Sequence, residues 1–320
     1  MKRKPIISIL IPVYNVEHYI STCLDSILSQ TYTNLQIVLF DDGSKDQSLA
    51  ICKEFTYKNK NIEVYHQSNQ GVAVTRNHLL EKVKGDYVLF VDSDDWIEID
   101  MVDHLLTLGE QRDADMVMCD RVINDNKPSQ TKPIVVELSQ ENAIRDFLYH
   151  NYFIGSLCNK LIKTTLLHNL SFHSGISYGE DALFCWQVLQ KVNKVVVTNK
   201  QLYHYRMNNI SLSHVFNGHQ FSAYHVWNQI VNDVKVSYPQ FLSIAQSHFC
   251  VSMTVILYNA AKHDYPSDEN IKALCSIVKK NKMIMLRHIP HSFKKYLVAS
   301  LLAWNYDLTC FILKLRPNRL

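Results

Sequence analysis

A doubly wound α/β domain with a mostly parallel central sheet flanked by helices, followed by a helical C-terminal region, is the fold class this sequence predicts. Three observations carry it. Short apolar, β-branched runs alternate with amphipathic helical patterns over the first 125 residues. The polar signatures fall in the loops that follow those runs, where α/β sheets bind ligands. From residue 214 onward the helical period dominates, with no convincing repeat.

In chain order, residues 7–13, 36–40, 62–66, 87–91 and 116–122 are runs suited to strands buried on both faces. Between them, residues 16–30 place Ile20, Cys23, Leu24, Ile27 and Leu28 on one helical face, and residues 45–56 place Leu49, Ile51, Cys52 and Phe55 on another. Residues 72–83 and 101–111 repeat the pattern. The loops at Tyr14-Asn15, Asp41 to Ser44, Gln67 to Gly71 and Asp92 to Asp95 are expected to converge on one crevice. A polar loop with Pro128 and Pro133 follows at residues 124–133, then a capped helix at 139–150 and another at 182–190, led by Gly179-Glu180-Asp181. Residues 192–198 and 202–205 read as two strands, and residues 221–236, 241–261, 270–280 and 293–314 as long helices. The expected division is a catalytic domain over residues 1–215 and a helical region over 216–320.

A 47% hydrophobic chain of 320 residues can bury a substantial core. Its eight cysteines form no C-x-x-C pair, zinc spacing or compact disulfide framework, and read as reduced thiols of a cytoplasmic protein. No signal peptide is expected, because the basic start is followed by only a short apolar run, Ile6 to Val13, without a small-residue cleavage site. Charge is uneven. From Lys279 onward nine Lys or Arg face one acid, a net of +8 that leaves −5 on the first 278 residues of a chain totalling +3. Nucleic acid is a poor partner for such a body, whose aromatics are not interleaved with positive charge.

The chemistry-bearing cluster is Asp92-Ser93-Asp94-Asp95, directly after an apolar run. On an extended strand end Asp92 and Asp94 point the same way and can share one hard cation. The alternative is an acidic helix cap. The lack of G-x-x-x-x-G-K-[ST] and G-x-G-x-x-G, with only eight glycines, argues against glycine-rich phosphate cradling. The absence of H-E-x-x-H and G-x-S-x-G argues against zinc hydrolysis and a serine triad.

Five motifs in order carry a family resemblance: Ser8-Ile9-Leu10-Ile11-Pro12-Val13-Tyr14-Asn15, then Cys23 to Tyr32, Asp41-Asp42-Gly43-Ser44, Asn69 to Asn77, and Asp92 to Asp95. Together they resemble the successive motifs of family 2 glycosyltransferases with the GT-A fold. Cys158-Asn159-Lys160-Leu161, Tyr178-Gly179-Glu180-Asp181 and Tyr205-Arg206, followed by Ser211 and Ser213, extend it to about residue 215.

The resemblance implies roles residue by residue. Pro12, Tyr14 and Asp42 would hold the nucleoside, Tyr14 packing on the base and Asp42 accepting from a ring N–H, with Asn69 and Arg76 as further nucleotide contacts. The alternatives are an Asx-turn for Asp42, with Asp41 a turn residue only, and a solvated helix position for Arg76. Asp94 would ligate Mg²⁺ or Mn²⁺, Asp92 would hold the ribose or the metal shell, and Asp95 would support them. Arg206, Ser211 and Ser213 would close on the diphosphate, although Ile210 stands where many relatives carry a small residue. Asp181 would be the base that deprotonates the acceptor, with Glu180 beside it; otherwise both are first-turn acids complementing a helix dipole. Lys160 is either an acceptor contact or a surface lysine.

The expected activity is metal-dependent, inverting transfer of a sugar from a nucleotide donor, a UDP-sugar, to a glycan or lipid-linked acceptor in bacterial surface polysaccharide synthesis. Rival readings are a nucleotidyltransferase and a non-catalytic nucleotide-binding subunit. The basic, apolar residues 293–315 read either as an interfacial helix on anionic lipid or as a helix packed on the protein or on a second copy. A membrane span is not expected there, since Asn305, Asp307 and Lys314 interrupt it.

Overall fold

In the computed structural model, residues 3–124, 126, 132–149, 155–207, 216–288 and 292–314 are described. The chain divides into two compact units: residues 1–144, 155–175 and 184–208, and residues 145–154, 176–183 and 209–320.

The first unit is built on strands β1 (Ile7–Val13), β2 (Leu35–Asp41), β3 (Ile62–His66), β4 (Tyr87–Phe90), β5 (Trp96–Ile97), β6 (Met116–Ile123), β7 (Val135–Ser139), β8 (Lys160–Lys163) and β9 (Lys194–Tyr205). They form one sheet in the order β3-β2-β1-β4-β8-β6-β9-β5, with β7 also on β9. Strands β1 to β4 pair in parallel, as their two-sided burial requires, and Val13 lies beside Asp41 and Leu10 beside Phe90. The carboxyl ends of β2, β1 and β4 therefore share one edge of the sheet.

Helices α1 (Ile20–Leu28), α2 (Ser48–Lys58), α3 (Val72–Glu81) and α4 (Met101–Arg112) fill the crossovers, and Ile20, Cys23, Leu24 and Ile27 are buried as their spacing predicts. Helices α5 (Gln140–Tyr149) and α6 (Glu180–Leu189) follow.

The far side of the sheet adds antiparallel strands to the parallel pattern, so the sheet is mixed. Strand β8 inserts antiparallel between β4 and β6, and β5 and β7 are antiparallel to β9. These three strands are two to five residues long, and lysine opens and closes β8, so they lack the alternation that marks a strand in sequence. The two strands expected within residues 192–205 are one, β9. Register shifts around Asp120 let β6 follow β9 through its polar middle, while β7 pairs with the first half and β5 with the second. The cluster Asp92 to Asp95 lies beyond the end of β4 in a turn closed by Asp95 N–H to Asp92 C=O at 3.1 Å. The side-chain alternation of an extended strand therefore does not govern it.

The second unit is helical: α7 (Ser222–Ser237), α8 (Leu242–Lys262), α9 (Glu269–His288), α10 (Ser292–Trp304) and α11 (Tyr306–Lys314). Helix α8 buries Ile244, Ala245, Cys250, Met253, Ile256, Leu257, Ala260 and Ala261, and it packs against α7, α9, α10 and α11. Together with the turn before it, it is long and apolar enough to cross a membrane, and half of that apolar stretch is buried inside the protein. The helix expected over 293–314 is two, bent by 117° at Asn305. Asn305 ends α10 through its N–H to Leu301 and caps α11 by accepting from Leu308 N–H at 3.0 Å. All eight cysteines are free thiols.

Gly85, where the chain turns into β4, has no room for a side chain. A Cβ there would sit 2.6 Å from Ile6 C=O and 2.8 Å from Ser8 N, both backbone. Gly85→Ala is predicted to lower stability by roughly 1–3 kcal/mol, the scale of an overpacked site, in urea unfolding. Gly175→Ala, with nothing within 4 Å, serves as the unperturbed control. Equal midpoints for the two variants would remove this account of the turn.

Candidate active site

The loop after β1 is laced to the loop after β2. Asn15, in a left-handed conformation (φ 51°), donates its N–H to Ser44 Oγ at 3.0 Å and accepts from Lys45 N–H at 2.8 Å. Val16 N–H reaches Ser48 Oγ at 2.8 Å, Glu17 N–H reaches Asp46 at 3.0 Å, and Gln47 N–H returns to Glu17 at 2.8 Å. Pro12 is half-buried near the end of β1, and the Tyr14 ring beyond it is exposed.

Two adjacent aspartates at the end of β2 divide their work. Asp41 Oδ2 accepts from Gly43 N–H and Ser44 N–H, both at 3.2 Å, and lies 2.7 Å from His66 Nδ1. The Asx-turn weighed for Asp42 thus belongs to Asp41. Asp42 is buried and reaches the next loop, accepting from Gln67 Nε2, Gln70 N–H and Gly71 N–H, each at 2.8 Å. Three of roughly four acceptor directions on that carboxylate are in use, which leaves one. Gly43 (φ +74°) makes the apposition possible, since a Cβ there would lie 2.7 Å from Asn69 N. Asn69 itself is exposed.

Arg76 on α3 is buried, against the solvated alternative. Its Nη2 lies 3.3 Å from Asp92 Oδ1, and its Cζ lies 5.6 Å from the Phe172 ring centroid. Arg76 therefore meets the carboxylate turn directly. The other oxygen of Asp92 accepts from Cys158 Sγ at 2.9 Å. Tyr203 OH accepts from Asp92 N–H at 3.2 Å and donates to Asp95 Oδ2 at 2.6 Å. Asp95 Oδ1 takes the Arg206 N–H at 2.7 Å. Arg206 Nε donates to Asp94 C=O at 2.8 Å, and its guanidinium lies 4.5 Å from the Trp96 ring and 4.9 Å from the Tyr19 ring.

Burial sets the electrostatics. It pushes the Asp95 carboxyl up to about 8, reinforced by the charges of Asp92 and Asp94 and opposed by the bonds from Arg206 and Tyr203. Burial, then the same three acids, holds the Cys23 thiol well above its ordinary range. Asp92 and Asp94 remain half-buried and offer hard oxygen donors from one turn. Among the described residues no group of three or more His, Cys, Asp or Glu forms a metal cage. This donor set fits a cation that takes one or two carboxylates and completes its shell with phosphate oxygens and water, and it does not fit a structural zinc site.

Asp42, Arg76, Asp92, Asp94 and Arg206 thus gather at one sheet edge of the first unit. Ser211 and Ser213 lie outside the described residues. Glu180 and Asp181 stand half-buried in the first turn of α6 after Gly179 (φ +89°), and this turn belongs to the second unit. Lys160 is neither a surface lysine nor open to an acceptor. It is 0% exposed, with Nζ bonded to Ser156 C=O and, at 2.8 Å, to Asn159 Oδ1. Its place in the central strand β8 draws it inside. Sequence reasoning missed Tyr19, Trp96, Cys158 and Tyr203 as supports of the acidic turn. Trp96 alone adjoins the acids in sequence; the other three reach them only through the fold.

A sequence profile described as glycosyl transferase family 2 matches residues 8–171, just over half of the chain. The chain belongs to this family. Glycosyltransferase GlyA of Streptococcus pneumoniae serotype 4 is 38% identical over 221 residues, covering 66% of this family 2 chain and 32% of GlyA. EpsH of Bacillus subtilis is 32% identical over 212 residues, covering 63% of the chain and 61% of EpsH. The chain thus spans about a third and about three fifths of these relatives. Among solved structures, S. aureus TarS 1-349 in complex with UDP superposes with TM-score 0.68 at 19% identity, covering 98% of this chain and 92% of that one. A mannosyltransferase from Pyrobaculum calidifontis, in complex with GDP-Man and Mn²⁺, gives 0.59 at 14% identity, covering 99% and 89%. The family 2 chain therefore has the GT-A architecture.

The raised Asp95 carboxyl makes a signed prediction. An unfolded aspartate loses its proton near pH ~4, whereas the buried one keeps it to about 8. Between these values the native state binds more protons, so stability falls as pH rises through the window. In EDTA, the urea midpoint of the wild type is expected to drop from pH 5 to pH 8, and Asp95→Asn to flatten that slope. An unchanged slope in the variant would show that Asp95 titrates as an ordinary acid.

Proposed function

We propose that this chain is an inverting, metal-dependent glycosyltransferase that moves a sugar from a nucleotide donor, a UDP-sugar, to a glycan or lipid-linked acceptor in bacterial surface polysaccharide synthesis. The observation that carries the reading is the shared edge of β2, β1 and β4, where the Asp42-anchored loop and the Asp92 to Asp95 turn stand at the ends of the two strands that flank β1. A nucleotide lying across that edge meets Pro12 and Tyr14 at β1, Asp42 and Asn69 beside it, and acids where its diphosphate ends. Catalysis is assigned to residues 1–215, with 216–320 as an appended helical region.

Asp94, with Asp92, would hold Mn²⁺ or Mg²⁺, which when bound neutralises charge on the diphosphate as it leaves. Arg76 orients Asp92 through their ion pair. Arg206, with Ser211 and Ser213, is assigned to the phosphate oxygens. Asp181 takes the proton from the acceptor hydroxyl, and Glu180 orients the acceptor. One base suffices for single displacement, which inverts the anomeric centre; double displacement would require a nucleophilic carboxylate as well. The solved TarS complex with UDP supports the choice of uridine, and the Mn²⁺ complex of the mannosyltransferase supports the choice of metal.

UDP-, GDP- and dTDP-sugars assayed with Mn²⁺ for nucleotide release are expected to give turnover with a UDP-sugar. Asp94→Ala should abolish metal-dependent donor binding in calorimetry. Asp181→Asn should retain donor binding while transfer falls by roughly a hundredfold or more, the scale of a lost general base. Full turnover in Asp181→Asn removes it from the role. Pyrophosphate as product would make the chain a nucleotidyltransferase, and nucleotide binding without turnover of any donor would make it a non-catalytic subunit.

A further inference from the structure

Helices α10 and α11 each carry two apolar faces. On α10, Ala299 and Leu302 are buried, while Leu297, Leu301 and Trp304, at spacings of four and three, are exposed on the opposite side. On α11, Tyr306, Thr309 and Cys310 are buried, while Leu308, Phe311 and Ile312 face outward. The inner faces are accounted for by packing on α8 and α9. The outer faces leave Trp304 75% and Phe311 58% exposed, large apolar side chains for which burial against the protein has no use.

The same unit supplies charge. Lys272, Lys279 and Lys280 are exposed along one side of α9 that ends at Met283, itself 61% exposed. From Ile271 to Lys314 the sequence contains a single acid, Asp307. Lys282 Nζ on α9 lies 5.6 Å from the Tyr296 ring centroid on α10, so cation and aromatic residues meet where the two helices pack.

We propose that the outward faces of α10 and α11, together with the exposed lysines of α9, are a docking surface for an anionic lipid bilayer. Apolar side chains led by Trp and Phe enter the headgroup boundary, and lysines stay at the phosphates. The 117° bend at Asn305 suits helices lying in the interface, since it keeps the polar Asn305 and Asp307 outside the hydrocarbon. Charge selects this occupant over a second copy of the chain. A twofold interface through this face would set two segments of net +8 against each other, whereas an anionic surface neutralises them. The surface lies wholly in the second unit and stands apart from the transferase reading, so a failed donor screen leaves it untouched.

The test is cosedimentation of the full chain with phosphatidylcholine vesicles, with and without phosphatidylglycerol, at low and high salt. Binding is expected only with phosphatidylglycerol and is reversed by salt, with a blue shift of tryptophan fluorescence that W304S/F311S removes. Each of K272E, K279E and K280E should weaken binding about fivefold. The double variant W304S/F311S should weaken it at least about tenfold at low salt, with an unchanged circular dichroism spectrum. Equal binding to both vesicles, or none to either, overturns the proposal. So does a dimer in sedimentation velocity that W304S/F311S dissociates, which would assign the face to a second copy. Bound protein that resists high salt and alkaline carbonate would instead mark the bent helix pair as inserted.

Discussion

Three carboxylates within four residues, at the end of a buried strand, are the constraint around which the first unit is arranged. Burial, and then the charges of Asp92 and Asp94 beside it, raise the proton affinity of Asp95. The fold answers each acid differently. Asp92 receives a buried guanidinium and a thiol, Asp95 receives a phenol and a backbone N–H and tends toward its neutral form, and Asp94 stays half-open. A turn with this distribution is held on one side and acidic on the other.

The supports arrive from distant parts of the chain. Arg76 comes from the first turns of α3, Cys158 from the residue pair before β8, and Tyr203 and Arg206 from the end of β9. The antiparallel insertion of β8 and the long β9 are therefore not decoration on a parallel sheet: they carry the groups that make the acidic turn tenable. Arg206 joins the two ends of this arrangement, bonding to the backbone of Asp94 and the side chain of Asp95 while it packs between Tyr19 and Trp96. On the other side of β1, Asp42 plays the corresponding part, tying the loop before α3 to the end of β2.

How legible this was depended on the range of the interactions. Strands β1 to β4 were readable because two-sided burial writes a continuous apolar run, and α1 because its buried face recurs every three to four residues. Strands β5, β7 and β8 were not, because two to five residues with polar ends carry no period; their strand character comes from the neighbours that accept their hydrogen bonds. Lys160 shows the same limit for a side chain. Its type says surface, but its position in a central strand places it inside. The two helices at 292–314 were merged in the sequence reading because both are apolar, and a single asparagine side chain separates them by capping the second.

By itself the sequence determined the α/β class, the position of strands β1 to β4 along the chain, the loops that carry chemistry and the family, because these rest on local periodicity and on motifs that are contiguous in the chain. Only the tertiary structure decided that Asp41 makes the turn while Asp42 reaches across, that Arg76 is buried against Asp92, and that Cys158 and Tyr203 hold the acids. Those assignments depend on which residues meet after strands far apart in sequence become neighbours, and no local pattern encodes that meeting.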